Sequence, residues 1–148
     1  YKSGGANLNK ANRNEAILSE TNLNKANLRR SDLTGADLTG ANLNKSKLTG
    51  ADLTGAILGG AILKDSILSW AKLVDANLTG ADLTEANLNK ANLSGANLSG
   101  TNLSKANLTG VNLRNSYLEE NLTHNSLGAL KDLDDPEELA FDPSNSTL

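Results

Sequence analysis

The sequence predicts an all-β solenoid, a rod wound from short extended pieces joined by tight corners. Three observations predict it. A period of five residues runs without a gap, apolar and polar residues alternate inside each period, and Gly recurs at one place in it. From Ala6 to Glu120 the chain reads as 23 consecutive pentapeptides, from ANLNK, ANRNE and AILSE to SYLEE. The third residue is Leu in 22 of the 23, with Arg13 the exception, so chance is excluded.

Each position of the unit has a physical reading. In an extended piece of three residues the first and third side chains share one side and the second takes the other. The first is Ala in 16 units, otherwise Ser, Thr or Val, which fits an interior lined by small residues beside Leu. The second is Asn in 12 units and Asp in 4, and so points to solvent. The fourth and fifth are commonly Thr, Ser or Asn followed by Gly or Lys, the centre of a corner. Gly there suits a type II turn, whose third position needs positive φ. A helical reading fails, because Gly at every fifth or tenth residue would break each helix.

Composition narrows the classes. A chain of 148 residues suggests one domain, and aromatics at 3% exclude the usual mixed globular core. The absence of Cys rules out disulfides and thiolate metal or redox sites. No apolar run approaches the roughly 18 residues of a membrane-spanning helix.

The tandem A(D/N)LXX units resemble the pentapeptide repeat family over residues 6–120. That resemblance implies a right-handed quadrilateral β-helix with four pentapeptides per coil, so that residues 20 apart stack. It implies about 5.75 coils in a rod roughly 28 Å long, at ~4.8 Å per coil. Leu28, Leu48, Leu68, Leu88 and Leu108 would then form one interior column. Residues 1–125 form the expected repeat domain. The period breaks after Glu120, and residues 126–141 (SLGALKDLDDPEELAF) read as two short helices. Leu127, Leu130 and Leu133 make a stripe, and Asp135 before Pro136 makes an N-cap. These helices are expected to cap the open C-terminal end, and residues 142–148 to form a flexible tail.

Candidate functional residues are the departures from consensus. Ile57, Ile62 and Ile67 occupy three successive outward positions, and Trp70 and Val74 follow, also outward. They form a belt around one coil and are the candidate interaction site. Ile17 is isolated from it. Arg13 is expected to extend out of the open N-terminal end. Asp32, Asp52 and Lys72 share a column, as do Lys25, Lys45, Asp65, Glu85 and Lys105; both read as solvated surface charge. His124 alone, without Cys or a second base, makes neither a triad nor a zinc site. The unbroken Thr ladders that ice binding would need are interrupted at Arg29, Gly59, Lys64, Val74 and Arg114.

Some family members resemble duplex DNA and inhibit DNA gyrase, which requires an acidic rod. Here residues 1–118 carry thirteen Lys and Arg against nine acids, and residues 119–148 one Lys against eight. The acidity lies beyond the rod, and the Phe common at the centre of quinolone-resistance members is missing. The expectation is therefore a non-enzymatic structural or protein–protein interaction module. It has no catalytic residue, cofactor or metal, and its partner is an unidentified protein. Nucleic-acid binding and membrane insertion are not expected, and the chain would be a monomer or weak dimer. The alternative is a DNA-mimicking inhibitor of DNA gyrase or another topoisomerase. Similar Asn- and Leu-rich proteins abound in cyanobacteria, some of them exported. With Tyr1 first, the reading leans to an exported chain of the periplasm or thylakoid lumen over a cytoplasmic one.

Overall fold

The computed structural model describes residues 5–118. The expected helical cap at 126–141, the tail at 142–148 and His124 lie outside these residues.

One unit shows how the sequence winds the rod. In Ala41–Lys45 the outward Asn42 donates its N–H to the Thr21 carbonyl of the preceding coil at 2.9 Å. Leu43 donates to the Ile62 carbonyl of the next coil at 2.7 Å, and Lys45 to Lys64 at 2.9 Å. Ala41 closes the preceding corner on the Leu38 carbonyl at 3.0 Å. The fifth amide, Asn44, turns to the side-chain Oδ1 of Asn42 at 3.1 Å. All five amides are thereby satisfied within the fold. The outward Asn or Asp is thus structural: its carboxamide or carboxylate caps the amide two residues on, an Asx turn.

The pairing repeats at a fixed offset. Each outward residue pairs in parallel with the one 20 further, from Asn7 with Asn27 to Asn97 with Tyr117. Each coil is therefore four pentapeptides and has four sides. Face 1 carries the column Asn7 to Asn107, face 2 Asn12 to Asn112, face 3 Ile17 to Tyr117, and face 4 Asn22 to Asn102. The third corner position has φ of 53–70° at every unit from Lys10 to Asn115, as the Gly pattern predicts. Nine of these residues are Gly, and the rest include Lys, Glu, Asp, Arg and Trp70 held at positive φ. The stacked hydrogen bonds over-determine a conformation that costs an L residue about 1–2 kcal/mol.

The core is the stack of inward side chains. Leu28 through Leu98 are at most 1% exposed, and the Ala columns between them are equally closed. Inward Ser31 and Ser66 donate to the carbonyls of Leu28 and Leu63 at 2.7 and 2.6 Å, which makes a hydroxyl tolerable there. The first coil is looser: Leu8 and Leu18 are half-buried, and Arg13, in the inward register, is exposed as expected.

Candidate functional site

The structure places the five belt residues on different sides of the rod. Ile57 on face 3 and Ile62 on face 4 are 43% and 42% exposed. They flank the corner Gly59–Gly60, where a Cβ on Gly60 would meet nothing within 4 Å. These two Ile side chains therefore share one bare edge. Ile67, on face 1 between Lys47 and Asn87, and Val74 are only half-buried. Trp70 is 60% exposed and stands on the corner between faces 1 and 2, diagonally across from the Ile57–Ile62 edge. Lys90, one coil on in the same corner column, holds its Nζ 4.6 Å from the centre of the Trp70 ring.

Two further exposed apolar residues extend face 3. Ile17 is 83% exposed and Tyr117 44%. The same alternation that turns Ile57 outward applies to Tyr117, so the signal was present in the unit SYLEE. Ile17, Ile57 and Tyr117 share one column, with Ile62 just around the corner.

The belt also breaks the hydrogen-bond code. Ile57, Ile62, Ile67 and Lys72 are the outward residues of one full coil, and none carries an Asx oxygen. Among the described residues the amides of Gly59, Lys64, Ser69 and Val74 accordingly find no side-chain cap or backbone acceptor. In the neighbouring coils Asp52 caps Thr54, and Asn77 and Asp82 cap Thr79 and Thr84. Four successive units give up a local stabilising bond for apolar or cationic side chains at the surface.

The charged columns behave as surface. Lys72 Nζ lies 3.4 Å from Asp52 Oδ2, and Lys105 Nζ 3.5 Å from Glu85 Oε1. Partial burial works against ionisation of Asp52, but the Thr54 hydroxyl and amide and the Lys72 ammonium outweigh it, and its carboxyl titrates below the ordinary value. Hydrogen bonds from the Thr39 side chain and amide lower Asp37 likewise. Among the described residues no three His, Asp or Glu side chains gather as a metal site. No described helix is long and apolar enough to cross a membrane.

A four-sided solenoid of stacked pentapeptides with an apolar edge defines a class of repeat protein that presents side chains from a rigid rod. The pentapeptide repeat family model matches in eight copies over residues 4–35, 31–69, 41–80, 61–100 and 76–115. The chain belongs to the pentapeptide repeat family, and its solenoid is that family's right-handed quadrilateral β-helix. The pentapeptide repeat protein Rfr23 of the cyanobacterium Cyanothece 51142 is 32% identical, over 73% of this chain and 89% of its own, with a TM-score of 0.52. HetL, a pentapeptide repeat protein involved in heterocyst differentiation regulation in Nostoc sp. strain PCC 7120, is 33% identical over 74% of this chain, with a TM-score of 0.47. The match spans only 60% of HetL. Full-length QnrB1, a plasmid-mediated fluoroquinolone resistance protein, is 16% identical over 84% of this chain and 71% of its own, with a TM-score of 0.34. The curated proteins contain no match.

Proposed function

We propose that this chain is a non-catalytic protein–protein interaction module, with residues 1–125 as its repeat domain. Its contact surface is the edge where Ile57 and Ile62 flank Gly59–Gly60. The observation that carries this reading is the coil from Ile57 to Val74, which forgoes four consecutive corner caps to hold apolar and cationic groups outside. A departure from the local code that weakens the fold is the pattern of a surface selected for contact. The Gly corner lets a partner backbone approach closely, and the two Ile side chains supply apolar area on either side. Trp70 on the opposite edge serves a separate contact, because one flat partner cannot reach both corners.

The experiment is a crosslinking pull-down from host lysate with three baits: the natural chain, Ile57→Asn/Ile62→Asn, and Trp70→Gly. A partner retained by the natural chain and by Trp70→Gly, but lost with the Ile pair, is the expected result. Identical partner lists for the natural chain and the Ile variant would remove the edge from consideration. DNA mimicry is not favoured: residues 5–118 carry twelve Lys and Arg against nine acids.

A further inference from the structure

The coil register sorts the charges by side. Face 1 and its two corners gather Lys10, Lys25, Arg29, Arg30, Lys45 and Lys47 within the first three coils. Lys25 and Lys45 stack along one corner, Lys10 and Arg30 along the other with Arg29 beside them, and Lys47 stands between. All are exposed except half-buried Arg29. The acids of face 1 and its corners, Asp65 and Glu85, come later in the rod, and Glu85 is paired with Lys105. None of the six cations is in an ion pair among the described residues. Six unpaired cations on one side of a rigid rod attract a polyanion, because nothing in the rod can turn them away from each other.

The same chain carries a complementary stretch. Asp132, Asp134, Asp135, Glu137, Glu138 and Asp142 place six acids in eleven residues, with only Lys131 beside them. We propose that this acidic stretch docks on the basic N-terminal half of face 1 of its own rod. Asp132, the first acid of the cluster, is the fourteenth residue after Leu118, a reach of up to about 46 Å at ~3.3 Å per residue. The basic half lies about four coils back, roughly 19 Å along the axis at ~4.8 Å per coil. Enough chain remains to round the rod. Tethering gives the segment an effective concentration on the order of mM, which favours its own rod over a second copy. The inference is independent of the Ile57–Ile62 edge, which lies on the other side. It competes with the helical cap expected at 126–141, and the experiment separates the two.

The test is zero-length carbodiimide crosslinking of the intact chain, mixed with an isotopically labelled copy and mapped by mass spectrometry. Screening is varied from about 20 mM to about 0.5 M salt. The expected result is links from the 132–142 acids to Lys25, Lys45 and Lys47 within one chain at low salt, falling at least about tenfold at high salt. Arg29→Gln/Arg30→Gln leaves the reactive lysines in place and should cut the yield several-fold; Arg29→Lys/Arg30→Lys should restore it. Links chiefly to Lys90 or Lys105 near the C-terminal end, links chiefly between labelled and unlabelled copies, a yield indifferent to salt, or no links at all would each overturn the proposal.

Discussion

Replacing Asn97 by Leu tests whether the outward Asn holds the corner or merely decorates it. In the structure the Oδ1 of Asn97 accepts from the Ser99 amide at 3.0 Å, and that amide has no backbone acceptor. Leu keeps the size of the side chain and removes the acceptor. A hydrogen bond of this kind contributes about 0.5–1.5 kcal/mol net. For a chain of this size a destabilisation of 1 kcal/mol lowers Tm by about 2–4 °C, so the expected drop is roughly 1–6 °C. Asn97→Asp is the matched control, because Asp32, Asp37, Asp52 and Asp82 make the same bond in their own units. It should hold the natural Tm at neutral pH. Asn42→Leu, on another face nearly three coils away, should add to Asn97→Leu, giving about 1–3 kcal/mol together. Calorimetric or circular-dichroism melts read the stability, and hydrogen exchange at Ser99 reads the bond itself. A Leu variant as stable as the natural chain, with Ser99 exchange unchanged, would refute the structural role of the Asn column. It would also remove the argument that the Ile coil sacrifices anything.

Three further outcomes follow from the same geometry. Leu68→Ala, at a site 1% exposed within its Leu column, should cost about 2–5 kcal/mol by denaturant titration, because stacked coils cannot collapse into the space. Ser46→Ala should raise stability by about 1 kcal/mol, since the Ser46 hydroxyl is buried without a partner, whereas Ser66→Ala loses a bond to Leu63 and should be neutral or destabilising. The Asp52 carboxyl is held below its ordinary 3.8 in the fold, so the folded state binds fewer protons there than the unfolded state. Its contribution is present above that value and is lost as pH falls through the folded value. The stability difference between the natural chain and Asp52→Asn should therefore shrink towards zero on acidification through that range.

Much of the candidate site could be read in the sequence, because alternation is local. Ile57 and Ile62 were placed outward from three residues of context and Trp70 from its place at a corner, and all three are exposed. Ile67 and Val74 obey the same alternation yet are only half-buried, because their exposure depends on neighbours one coil away. Tyr117 was missed although its unit carries the same signal. The grouping of Lys and Arg on face 1 was also implicit in a 20-residue register. In chain order those residues look scattered; only when units four apart are stacked do three basic columns become adjacent. The Asx role of the outward Asn was not read, because the pattern itself says only that the residue faces water.

The sequence by itself determined the unit: which residues face in, which face out, and where the chain turns. Those choices rest on side-chain alternation and on the φ demanded at a corner, both settled within five residues. The tertiary structure decided which units meet. The closure of four corners into one coil depends on the summed corner angles and on hydrogen bonds reaching to the next coil, such as Leu43 N–H to the Ile62 carbonyl. No pentapeptide encodes that sum alone. From it come the shared edge of Ile57 and Ile62, the separation of Trp70 on the opposite corner, and the gathering of six cations on one face.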